Sequence, residues 1–164
     1  MVNINKLKIG DIIIRFGQVY KVFKTEKKDD TKIIFYKKFF ENPGRAPSIF
    51  SIPQDSIGNT KIRGLIGKKD LGSLLGAELK AFEVDLEMNI NTIKAILNTD
   101  DPMEIMKIMK NLATERKTNE KFPFSKKEVY GTLLKRFASE VAYVYKTTPE
   151  KGQEIIEEAL DRAI

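Results

Sequence analysis

Carboxylate pairs such as Asp100-Asp101 and Glu157-Glu158, and the glycine-lysine fragment Gly67-Lys68-Lys69, are groups in this 164-residue chain whose types could do chemistry. Two carboxyls flanking a bond are the equipment of glycoside hydrolysis. A glycine-lysine turn opening a helix is that of phosphate binding. Both have simpler accounts. Asp100-Asp101 precedes Pro102 and reads as a helix cap, and Glu157-Glu158 lies on a solvated helix face. Gly64, Gly67, Gly72 and Gly76 do not follow the order G-x-x-x-x-G-K-S/T, because Lys68 has no hydroxyl residue after it. The segment reads instead as a linker. With no cysteine and no histidine, a disulfide, a thiolate nucleophile, a Cys/His zinc site and a Ser-His-Asp triad are excluded. The expectation is a binding protein and not an enzyme, with no catalytic residue, no metal and no cofactor.

Binding chemistry is better represented. Lys37-Lys38-Phe39-Phe40 sets two rings beside two ammonium groups, which suits bases and phosphates. The alternative is that these phenylalanines fill a core. The net charge of +6 is unevenly spread. Residues 1–70 hold 15 Lys+Arg against 7 Asp+Glu, a net of +8, and the remainder hold 14 against 16, a net of −2. Such asymmetry points to separate surfaces for separate partners, whether a polyanion or an acidic protein. Solvated lysines on strand faces are the plain alternative.

The elements that must position these residues fall into two groups. In residues 1–66, Ile12-Ile13-Ile14, Val19 to Lys24, Lys32 to Tyr36 and Ser48 to Ile52 are short runs rich in β-branched and aromatic residues. Lys37 to Phe40 could extend the third run. Gly10-Asp11, Gly17, a charged turn over Glu26 to Thr31, Asn42-Pro43-Gly44 and Pro53 divide them. Strands about ten residues apart predict a small antiparallel barrel.

Residues 67–164 predict helices. Asp101-Pro102-Met103-Glu104 offers a cap, a proline at the first position and an acid in the first turn. Ser125-Lys126-Lys127-Glu128 reads as a capping box, and Thr148-Pro149-Glu150 opens the last helix. Ile105, Ile108, Met109 and Leu112 form one stripe, as do Leu133, Phe137, Val141 and Val144. Met103, Met106 and Met109 read as core filling rather than a recognition strip. Leu71 to Leu79 and Phe82 to Leu97 predict two further helices, making a five-helix bundle. The fold class expected is α+β. The start lacks the apolar core of a secretory signal, and no apolar run approaches a membrane span, so a cytoplasmic monomer is expected.

The order of these features resembles a known family. Lys8-Ile9-Gly10-Asp11-Ile12-Ile13-Ile14 resembles the opening strand of the bacterial CarD/CdnL family of RNA polymerase-binding transcription regulators, and Gly17 follows as it does there. Ile49-Phe50-Ser51-Ile52-Pro53 resembles the family's closing strand. Ser56-Ile57-Gly58 through Ile66 resembles its interdomain junction. Asp101 to Leu112 and Glu140-Val141-Ala142-Tyr143 fall where two of its helices do. The resemblance spans nearly the whole chain and rests on order and spacing.

The resemblance implies a Tudor-like RNA polymerase-interacting domain over 1–66 and a helical domain over 67–164. The first would pair a sheet edge with a strand of the polymerase β subunit, through Ser48, Ile49, Phe50 and Ser51, with Lys27 and Lys37 as charge complements. The second would lie against promoter DNA and alter open-complex stability. Its apolar wedge, a tryptophan in the family, falls near Leu86, with Phe82 close by. Lys94, Lys126 and Lys127 would serve as phosphate contacts. The family's basic neighbours fall on Met88 and Asn91, and a closing-strand arginine falls on Ser51. Beside this reading stands a nucleic-acid-binding module in which the basic barrel itself holds RNA or DNA.

Overall fold

The computed structural model describes residues 2–41, 44–86 and 88–164. Asn42-Pro43 of the expected break and Glu87 of the expected second helix lie outside them. The chain separates into two compact units, Met1–Leu65 and Ile66–Ile164. Among the described residues no helix is long and apolar enough to cross a membrane.

The first unit is a five-stranded antiparallel sheet in the order β4-β3-β2-β1-β5. Its strands are β1 (Ile12–Arg15), β2 (Gln18–Lys28), β3 (Thr31–Lys38), β4 (Ile49–Pro53) and β5 (Arg63–Gly64). Phe16 (φ 50°) and Gly17 (φ 75°) turn β1 into β2, and Asp29 (φ 50°) and Asp30 (φ 63°) turn β2 into β3. Both are two-residue turns whose backbone twist matches that of the flanking strands. The second replaces the longer charged turn expected over Glu26 to Thr31. Aspartate tolerates the left-handed region, so two consecutive aspartates suffice and Glu26 to Lys28 stay in the strand. The expected extension through Phe39 and Phe40 stops at Lys38, and the Phe39 N–H donates to the Val19 carbonyl at 2.9 Å.

One face of this sheet carries a core of Leu7, Ile13, Tyr20, Val22, Ile34, Tyr36, Ile52, Ile57 and Ile62. The N-terminal segment is tied across it. Gln54 accepts from the Leu7 N–H at 2.9 Å and donates to the Ile4 carbonyl at 3.0 Å. Among the described residues the sheet is not closed: β5 has two residues and pairs only with β1, and β4 pairs only with β3.

In the second unit, Lys68–Ser73 forms α1, a π-type turn follows over Leu74–Glu78, and Leu79–Ala81 forms α2. Gly76 marks a kink there (φ −115°, ψ −106°). The expected linker through Lys68 and Lys69 is therefore helical. Then come α3 (Ile90–Leu97), α4 (Pro102–Thr118), α5 (Phe124–Val144) and α6 (Pro149–Ala163). The helix expected over Phe82 to Leu97 forms only from Ile90, where Asn89 accepts from the Asn91 N–H and caps it. Asp101 and Thr148 cap α4 and α6 by accepting from Met103 and Lys151 N–H groups. Ser125 does not cap α5. That helix starts one residue earlier, after Pro123, whose carbonyl accepts from the Lys126 and Lys127 N–H groups at 3.1 Å.

Leu71, Leu79, Ile93, Met106, Met109, Phe137, Val141 and Ile156 are among the buried residues of the helical core. Where α5 meets α6 the backbones touch. A Cβ on Gly152 would lie 2.3 Å from the Ala138 carbonyl oxygen, so only glycine fits.

Candidate functional site

β4 is built to be an edge. Its register with β3 pairs Ile49 with Lys37, Phe50 with Tyr36, Ser51 with Phe35 and Ile52 with Ile34. Alternation then turns Phe50 and Ile52 toward the core and Ile49 and Ser51 away from it. Phe50 stacks on Tyr36 with ring centroids 5.5 Å apart and meets Tyr20 edge-on at 5.6 Å. Tyr36 accepts a hydrogen bond from the Arg15 guanidinium at 2.6 Å. Burial, then the neighbouring Tyr36, push the Tyr20 phenol above its ordinary value of 10.0. Phe50 is thus packed from behind while Ile49 remains 61% exposed. An unpaired edge with large exposed apolar residues is normally blunted by charge, proline or a covering loop.

Four of the six residues expected at the polymerase contact, Ser48 to Ser51, are contiguous and exposed here. Lys37 joins them as the register partner of Ile49. Lys27 does not. It pairs with Lys32, beyond the last β3–β4 pair at Ile33–Pro53, and carries the parity of buried Ile34.

Sequence alternation missed the opposite face of the same strands. The β2–β3 register slips between Val22 and Lys24, so Phe23 and Lys24 both stand across from Phe35. A bulge of this kind re-aims side chains. Phe23 and Phe35 contact at 6.5 Å on the face away from the core, the Lys24 ammonium lies 5.1 Å from the Phe35 ring, and the Lys37 ammonium lies 5.4 Å from the Phe23 ring. The available signal was the adjacent pair Phe23-Lys24, which breaks the in-out alternation of β2.

In the helical unit the stretch after α2, Phe82 to Leu86, is irregular but tied down. Lys110, only 5% exposed on α4, donates to the carbonyls of Leu79, Lys80 and Phe82 at 2.7, 3.0 and 2.7 Å. These are the free carbonyls of a helix C-terminus. Beside it, Asn111 accepts from the Asp85 N–H at 2.8 Å. Phe82 packs partly buried on the core, with the Lys107 ammonium 5.3 Å from its ring. Leu86 is 45% exposed. Lys94 and Lys127 are exposed, whereas Lys126 is committed to Glu115 at 2.8 Å in a pair with little solvent around it. The wedge and phosphate contacts expected here therefore occupy different settings.

Among the described residues, no group of three or more His, Cys, Asp or Glu side chains could hold a metal ion. No protein-family model matches the chain, and no curated protein matches it.

Proposed function

We propose that this chain is a bacterial, cytoplasmic transcription regulator that binds RNA polymerase as a monomer and modulates open-complex stability. In this reading the first unit is a Tudor-like module, and β4 receives a strand of the polymerase β subunit by β-augmentation. The observation that carries it is the open β4 edge, with Ile49 exposed and Phe50 braced by Tyr20 and Tyr36. The +8 net charge of residues 1–70 favours an acidic protein surface as partner. The helical unit would bear on promoter DNA without sequence specificity, through exposed Leu86 as an apolar wedge, with Lys94 and Lys127 near phosphates.

The test is binding of the full chain to purified bacterial RNA polymerase. Ile49→Glu puts a charge on the edge at little structural cost, and should weaken binding at least about 10-fold, the equivalent of 1.4 kcal/mol, with circular dichroism unchanged. Absence of binding by the unmodified protein, or equal binding by the variant, refutes the docking assignment. For the DNA contact, Leu86→Ala should shorten open-complex lifetime. An unaltered lifetime removes the wedge.

A further inference from the structure

We propose that the outward face of β2 and β3 is a platform for single-stranded nucleic acid, separate from the β4 edge. Phe23 and Phe35 are partly exposed on the face away from the core of the unit, each with a lysine ammonium near its ring, and large rings left wet are costly. The bulge at Phe23-Lys24 creates the arrangement. With regular alternation Lys24 would point to the core side, whereas the slip sets both residues against Phe35. Phe23 and Phe35 contact at 6.5 Å, each with a lysine ammonium 5.1–5.4 Å from its ring centre. Lys21, the register partner of Lys37, adds a third cation on the same face. Glu26, also facing outward, lies 3.8 Å from Lys24.

Single strands are bound by this combination: rings that stack on exposed bases, and flexible cations that follow the phosphates. A duplex offers its bases no route to the rings. An acidic protein would use the lysines but leave the rings without a stacking partner. The lysines rest on the rings when the site is empty and swing outward to phosphate when a base takes their place. The platform shares Lys37 and the outward side of the sheet with the proposed polymerase contact, but Phe23, Lys24 and Phe35 lie on β2 and β3 and not on the free edge of β4, where a partner strand would pair.

The experiment is fluorescence anisotropy of the full chain with labelled oligothymidylate and oligouridylate of about 15 nucleotides, a length within the range of about 4–16 nucleotides that one small single-strand-binding domain covers. A duplex of equal length and an oligoglutamate peptide are the competitors. The expected result is single-strand binding that neither competitor displaces at equal concentration. Phe35→Ala should weaken it about 5- to 150-fold, and Phe35→Leu, which keeps the apolar bulk, at least about 5-fold. Lys24→Gln and Lys37→Gln should each lower the slope of log affinity against log salt by about 0.7. The proposal is overturned if neither oligonucleotide binds, if the duplex competes equally, or if Phe35→Leu binds as the unmodified protein does. Displacement by oligoglutamate overturns it in favour of an acidic protein partner.

Discussion

Lys110 and Gly152 fix the helical unit by opposite means, one by reaching and one by having nothing to reach with. Lys110 supplies three hydrogen bonds to carbonyls at the end of α2. Lys110→Met keeps the apolar stem and removes the donors, so the unit should lose roughly 2–4 kcal/mol, since bonds from a charged donor contribute about 1.5–3 kcal/mol. Urea denaturation measures this, and amide exchange at Asp85 should quicken. Gly152→Ala should cost about 1–3 kcal/mol through overpacking against the Ala138 backbone, despite alanine's better helix propensity. At Tyr20 the consequence is pH-dependent. Its phenol is raised by burial and then by Tyr36, so the folded state holds its proton more tightly than the unfolded chain. That contribution is complete below the ordinary value of 10.0 and is lost as pH climbs through the raised value. Urea midpoints should therefore fall above pH 10, and less so in Tyr20→Phe. Lys110 and Asn111 were legible in one respect: they are polar residues amid the apolar stripe of α4. Their partners, some thirty residues upstream, could not be read from spacing.

At the scale of elements, local chemistry decided some boundaries and tertiary contacts decided others. Asp101 and Thr148 cap where their sequence places them, because an N-cap side chain needs only its own first turn. The Ser125 box failed because α5 begins one residue before that serine, placing it inside the first turn. Phe82 to Asn89 shows the same limit on a larger scale. Its apolar spacing resembles a helix, but Lys110 and Asn111 hold the Phe82 carbonyl and the Asp85 N–H outside helical pairing, and α3 begins only after its cap Asn89. Periodicity marks a break in β2 at Phe23-Lys24 but not which residue is extra, since only pairing with β3 reveals that. The β1–β2 turn gives a direct test. Phe16 occupies the left-handed region at φ 50°, where a bulky residue is strained and asparagine is favoured. Phe16→Asn should raise the denaturation midpoint of the sheet unit by the equivalent of about 0.5–1 kcal/mol, followed by tyrosine fluorescence.

For the molecule as a whole, the two units hold separate cores. The helical core draws its buried members from Leu71 to Leu160, all within Ile66–Ile164. Even the first residue of that unit is anchored inside it, the Ile66 N–H donating to the buried Glu140 carboxylate at 2.9 Å. A chain trimmed to residues 66–164 should keep its helical circular dichroism and unfold in one cooperative step; a non-cooperative melt would contradict a self-sufficient core. The α+β character and the uneven charge were readable from composition and turn residues. Which strand ends the sheet was not, because edge position depends on pairing partners far apart in sequence. Lys110 also gives the protein a built-in clock. Amine-reactive reagents modify exposed lysines at once, but they can reach this one only when the backbone it grips lets go. The time course of its acylation, read by mass spectrometry, would report how often the segment ending in Leu86 opens while the rest of the protein stays folded.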